Sequence, residues 1–261
     1  MKFKTKVNRF GVNNKFQEES IAFFNRIDDY SSSIKNYIYT DIDILSAEMF
    51  SQEFFQARTQ ISLSSILMRS IYLNEAAIVQ LNTNNLVWLF AVLKSFLEVP
   101  ASLGYLLYIL NKNISNKERL DLFAQLHLGN RWKWELAVWD LEIKNVMTMF
   151  DKTEQELDKI FPEWWIGSKS MGKIIREFYE LICNCSHPNY NAHAFIWTIE
   201  DEWKYNLFEN SNFENSKAEE FNWYKPAWNT SILTIELISN LIVNHPTIKN
   251  FSKIKSRKYF L

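Results

Sequence analysis

Residues Leu86 to Leu110 read LVWLFAVLKSFLEVPASLGYLLYIL, a run long enough as a helix to cross a bilayer. Lys94, Glu98 and Pro100 lie inside it. Two opposite charges near the middle of a span would each cost about 2.5 to 3.5 kcal/mol on insertion scales, whereas a soluble protein can bury the helix on all sides and pair them. The run is therefore read as the central core helix of a soluble chain. No membrane partner is expected.

The rest of the chain supports that reading. Its 261 residues are 47% hydrophobic and 23% charged, enough apolar material for a sizeable core. Apolar residues recur at helical spacing along most of the length, which predicts an all-α, single-domain helical bundle spanning residues 1–261, with flexible basic ends at 1–14 and 249–261. A first helix is expected from about Lys15 to Tyr37, with Ile21, Phe24, Ile27 and Ile34 on its apolar side. A second starts near Asp41 and continues or breaks before Thr59, where an apolar helix from Ile61 to Leu81 begins. Ser115 with Glu118 forms a capping box that starts a helix toward Phe150, and Thr153 with Glu156 repeats the device. Lys173 to Ser186 is a further helix ended by His187 and Pro188. Trp197 to Trp223 reads as short helices on a surface excursion, and Pro226 to Asn244 as the final helix, stopped by Pro246.

Several functions are disfavoured by what the chain contains. The five glycines are scattered, so no glycine-rich turn exists to bring backbone amides to a phosphate, and neither a Walker loop nor a dinucleotide fingerprint is present. Lys and Arg total 29 against 30 Asp and Glu, so no global basic field drives nucleic-acid binding. Cys183 and Cys185 are too close for an unstrained disulfide in most backbones, which points to reduced thiols and a cytoplasmic location. The N-terminal segment has no apolar run of a secretory signal.

Two groups of residues could carry chemistry. Lys94, Glu98 and Tyr105, at spacings of four and seven, fall near one face of the core helix. One reading is an ion pair, joined by Arg69 from a neighbouring helix, that fixes helix register. The other is a polar pocket with Glu98 as anchor or general base. Farther on, REFYELICNCSHPNYNAH places Arg176, Glu180, Cys183 and His187 in one stripe. His187 is either a cap at a helix C-terminus, or a general acid/base with Arg176 stabilising phosphorane charge and Tyr179, Asn184 or Ser186 orienting substrate. Cys183, Cys185, His187 and His193 invite zinc, but cysteines two apart on a helix point to different faces and no second ligand pair follows, so neither metal nor cofactor is expected. The tryptophans, Trp132, Trp134, Trp164, Trp165, Trp223 and Trp228 among them, read mostly as core.

The two patterns carry a resemblance. LKSFLEVPASLGY, with Lys94, Ser95, Glu98 and Tyr105, and YELICNCSHP, with Tyr179, Ser186 and His187, look like the "R-S-hydrophobic-hydrophobic-E" helix plus tyrosine and the "Tyr…Ser…His-Pro" helix end of a prokaryotic all-helical family of unknown function. Lys94 stands where that pattern has arginine. Such proteins are similar in outline to the HEPN-type helical ribonucleases and abortive-infection proteins of bacterial defence and toxin systems. The resemblance implies an effector acting on RNA or a nucleotide by metal-independent phosphodiester chemistry, with His187 as acid/base, Arg176 and Lys94 as charge stabilisers and Glu98 as organiser. Those ribonucleases usually carry arginine four to six residues before the histidine, where this chain has Ile182 and Cys183. A noncatalytic interaction module fits the residues equally well, and would bind a partner protein encoded in the same operon or self-associate as a homo-oligomer.

Overall fold

In a computed structural model the chain is all-α. The structure describes residues 17–42, 44, 47–48, 51–83, 85–128, 145–161, 165–166, 169–186, 197–201, 204–207 and 213–249. The helices are α1 (Gln17–Ile34), α2 (Gln52–Asn82), α3 (Leu86–Asn111), α4 (Asn116–Leu128), α5 (Val146–Ile160), α6 (Met171–Ser186), α7 (Phe213–Val243) and the short α8 (Pro246–Lys249). Two antiparallel hairpins accompany them, β1 (Trp165–Ile166) with β2 (Lys169–Ser170), and β3 (Trp197–Asp201) with β4 (Lys204–Leu207). The expectations for residues 1–14 and 250–261, for Trp132 and Trp134, and for His187 and His193 fall outside the described residues.

Local chemistry sets the helix ends. Ser51 caps α2, its hydroxyl accepting from Phe54 N–H at 3.1 Å. Asn145 does the same for α5, accepting from Thr148 N–H at 2.9 Å. At α4 the expected capping box is complete: Glu118 N–H donates to Ser115 Oγ at 3.3 Å and Ser115 N–H to Glu118 Oε2 at 3.0 Å. The Ser115 hydroxyl and amide hold the Glu118 carboxyl below its ordinary value.

Of the two alternatives at Thr59, the continuous helix is the one found: the residue lies inside α2 with its hydroxyl donating to Phe55 O at 2.8 Å, the back-bond that lets threonine stay in a helix. Four expectations need correction. Thr153 and Glu156 start no helix; both are buried in the interior of α5, where their polar atoms also bond to α3. Trp197 to Trp223 holds the β3–β4 hairpin, pairing Trp197 with Leu207 and Ile199 with Tyr205, and then the start of α7. Pro226 is internal to α7 rather than in its first turn; it forgoes one backbone hydrogen bond while the helix continues on both sides. On α1, Ile21 is 43% exposed and Phe23 and Tyr30 are buried instead, because Phe23, Ile27, Tyr30 and Ile34 follow the four-three-four spacing that shares one face.

The described residues form two compact units. The first comprises residues 1–33, 70–99 and 173–234, the second 34–69, 100–172 and 235–261. In the first, α1, α2 and α7 meet at Asn74, which is fully buried. Its amide donates to Ile27 O at 3.0 Å and its carbonyl accepts from Trp228 Nε1 at 3.0 Å. Phe23 packs edge-on to Trp228 and Tyr30 to Phe96, arrangements that favour the aromatic quadrupoles.

In the second unit α3 and α5 approach closely at Gly104, where a Cβ would collide with the Thr153 side chain. Thr153 Oγ1 lies 2.8 Å from Met149 O and 3.1 Å from Ala101 O, so its one proton ties the two helices. The membrane-length stretch Trp88–Asn111 is 67% buried inside the protein, as a core helix is.

Candidate functional site

Within the first unit, the two sequence patterns converge. Lys94 and Glu98 stand one turn apart on α3, and Tyr179 and Cys183 one turn apart on α6. The Tyr179 phenol is hydrogen-bonded to both the Glu98 carboxylate and the Cys183 sulfur. The Tyr179 side chain is buried, whereas Lys94, Glu98 and Cys183 are half-buried.

Burial pushes the Tyr179 phenol above its ordinary value, and the hydrogen bonds and negative charge of Cys183 and Glu98 push it the same way. At neutral pH it is a fixed donor. Burial also raises the Cys183 thiol; the Tyr179 hydrogen bond and Lys94 oppose the shift, while Glu98 and Glu180 add to it. A free thiol held protonated is a poor nucleophile, so iodoacetamide should modify native Cys183 with a pH midpoint above the ordinary 9.0. A midpoint at or below that value would contradict the arrangement.

The phenol carries a further prediction. A folded-state pKa raised above the ordinary 10.0 means that the folded protein holds the proton more tightly. The stabilisation is complete below that value and is lost as pH rises above it. Tyr179→Phe, which cannot ionise, should therefore show a flatter decline of melting temperature above pH 10 than the wild type. Equal slopes would remove Tyr179 from the cluster.

The remaining expected site residues are placed differently. Arg176 is about one-third exposed and pairs through Nε with Glu180 Oε1 at 3.2 Å along α6. Tyr105 belongs to the second unit, 2% exposed, with its ring 5.7 Å from that of Tyr108. Arg69 is exposed on α2, Asn184 is exposed on α6, and Ser186 is the last residue of α6. His187 follows directly, outside the described residues. Among the described residues no group of three or more His, Cys, Asp or Glu gathers to hold a metal ion.

One polar network was not anticipated from sequence. In the second unit Glu156, 2% exposed, accepts from Asn111 Nδ2 at 2.7 Å and from Lys159 Nζ at 2.8 Å. Asn111 Oδ1 lies 3.1 Å from His245 Nε2. The available signal was His245 before Pro246, a polar residue preceding a proline that can open a helix. Nothing in the sequence joins it to Asn111.

Comparison with protein-family models, curated proteins and solved structures finds no match to this chain.

Proposed function

We propose that the chain is a noncatalytic helical module that acts by binding a protein partner or a second copy of itself, with the α3–α6 polar cluster as the internal brace of its first unit. The observation that carries this reading is the engagement of Glu98. Its carboxylate is met by the Tyr179 phenol, Lys94 and Glu98 both act on the neighbouring Cys183 thiol, and Arg176 is drawn into a pair on its own helix. Partly buried polar groups that satisfy one another across two helices serve to fix register. The surface of the same unit carries apolar side chains suited to docking: Trp88 is 63%, Tyr72 47% and Val79 42% exposed. Tyr72 and Val79 are seven apart, two turns along one face of α2, and exposed aromatics are enriched at interfaces.

A second reading is a metal-independent phosphodiesterase acting on RNA or a nucleotide, in the manner of bacterial defence effectors. The meeting of the two patterns favours it, since the cluster lies on α6, whose last residue directly precedes His187. In this version Lys94 stabilises anionic charge, Glu98 and Tyr179 position, and His187 transfers the proton.

One set of measurements separates the two. Purified chain incubated with total cellular RNA and a tRNA panel in chelator should leave the RNA intact. Light scattering of the 31.1 kDa chain at tens of micromolar should give a mass above the monomer that falls to the monomer in Trp88→Glu. Cleavage that disappears in His187→Ala would establish the phosphodiesterase. A monomeric wild type would leave the partner-protein form, tested by whether Trp88→Glu abolishes binding of the product of an adjacent gene.

A further inference from the structure

His245 closes a hydrogen-bond chain whose direction is fixed from both ends, all of it within the second unit. At one end Lys159 Nζ donates to Glu156 Oε1 at 2.8 Å. The other carboxylate oxygen can only accept, so Asn111 must present its NH2 to it, at 2.7 Å. That orientation turns Asn111 Oδ1 toward His245 Nε2, 3.1 Å away, and an amide oxygen there requires a proton on Nε2. At the opposite end the backbone N–H of Thr247 points at His245 Nδ1 at 3.2 Å, so Nδ1 must offer a lone pair. Both ends demand the same species, the neutral imidazole protonated on Nε2.

This ring caps α8. Thr247 is the second residue of that helix, and its N–H is one of the donors left without an intrahelical partner. Ile248 N–H donates to His245 O at 2.8 Å. α8 is anchored by the Ile248 side chain, 3% exposed, and by a long contact of 3.5 Å from Gln56 Nε2 to Ile248 O.

We propose that His245 is a proton-operated latch that holds α8 in place while neutral and releases it when Nδ1 takes up a proton. A proton on Nδ1 would face the Thr247 N–H donor to donor, so the cap would be replaced by repulsion between two N–H groups. Among the described residues no carboxylate lies directly against the ring to stabilise the cation. Arg119 of α4 is positive and disfavours it, α3 contributes the neutral Asn111, α2 the neutral Gln56, and the negative Glu156 of α5 stands behind Asn111 with Lys159 against it. Burial first, and then Arg119, accordingly hold the ring below its ordinary value of 6.5.

The sign follows directly. The latched state binds a proton less readily than the released state, so latching is complete above the ordinary value of 6.5 and weakens as pH falls through the window beneath it. Within that window the opening equilibrium rises by up to about tenfold per pH unit, and it levels off once the latched ring is itself protonated.

The test is amide exchange on the full chain between pH 7.5 and pH 5, read as protection factors, with the His245 ring followed by 15N NMR. Protection at Thr247 and Ile248 is expected to fall below pH 6.5 while the interior amides of α5 stay protected. The ring is expected to show the Nε2–H tautomer at pH 7.5. His245→Asn, whose side-chain oxygen can cap without titrating, should keep α8 protected at pH 5. The latch is overturned by an Nδ1–H tautomer, by unchanged protection at Thr247 and Ile248, by loss spread evenly through α5, or by the same pH dependence in His245→Asn. Each of these readouts is independent of RNA cleavage and of mass, so the latch and the binding-module reading fail separately.

Discussion

Replacing Asn74 with leucine lowers the free energy of unfolding by about 2 to 4 kcal/mol. The position is fully buried, and its amide links α2 to both α1 and α7 of the first unit. Leucine keeps the branched skeleton of asparagine with bulkier methyl ends, so no cavity is formed. Two losses decide the outcome. The Trp228 indole N–H, on a ring that is 0% exposed, is left without its acceptor, at about 1 to 3 kcal/mol. Ile27 O also loses its additional donor, although it can retain its helical bond. The apolar gain from leucine offsets part of this. Trp228→Phe removes the stranded donor, so the double mutant should be less destabilised than the sum of the singles by about 1 to 2 kcal/mol. Urea denaturation of the four proteins measures it, and strict additivity would mean that the Asn74–Trp228 bond contributes no coupling.

How far such a network can be read in advance depends on whether its partners are local. The helical class follows from spacing, and the Ser115–Glu118 box is legible because both partners lie within one turn. The same four-residue pattern at Thr153 and Glu156 is misleading: it also arises inside helices, and only the neighbouring carbonyl of Ala101 and the amide of Asn111 reveal what these side chains do. The β3–β4 pair does have a local signal, the alternation of Trp197 and Ile199 matched by that of Tyr205 and Leu207, which acidic and asparagine-rich flanks obscure.

At the candidate site, periodicity placed Lys94 with Glu98 on one face of α3, because one helix is a one-dimensional problem, whereas the stripe it drew on α6 ran through Arg176, Glu180, Cys183 and His187 and left Tyr179 out. It could not choose the partner across the packing. Tyr105 shares a face of α3 with Glu98, yet the phenol that meets the carboxylate is that of Tyr179 on α6. Arg176 has a carboxylate one turn away on the same helix and takes it. His245 was passed over because its bond partner Asn111 is 134 positions distant.

Gly104→Ala gives the other large effect, and here two opposing terms must be weighed. In a helix interior alanine is favoured over glycine by about 1 kcal/mol, so an exposed site would be stabilised. At Gly104 the new methyl would overlap the Thr153 side chain, including its Cβ, which no rotation of the hydroxyl or methyl can withdraw. Thr153 is further pinned by Met149 O and Ala101 O. Relief therefore requires α3 and α5 to separate, and overpacking of this kind costs about 1 to 3 kcal/mol or more. A net loss of up to about 2 kcal/mol is expected. Thr153→Gly removes the three atoms nearest the new methyl, so Gly104→Ala should turn neutral or stabilising in that background, despite the glycine penalty of Thr153→Gly itself. The separation has a second consequence, because Asn111 and Glu156 lie farther along the same two helices and their 2.7 Å bond depends on the same approach. Lengthening it frees the Asn111 amide to rotate, so the Nε2–H preference of His245 should weaken in Gly104→Ala and return in the double mutant. An unfolding midpoint equal to or above wild type in the single mutant would show that α3 and α5 are not held at this contact.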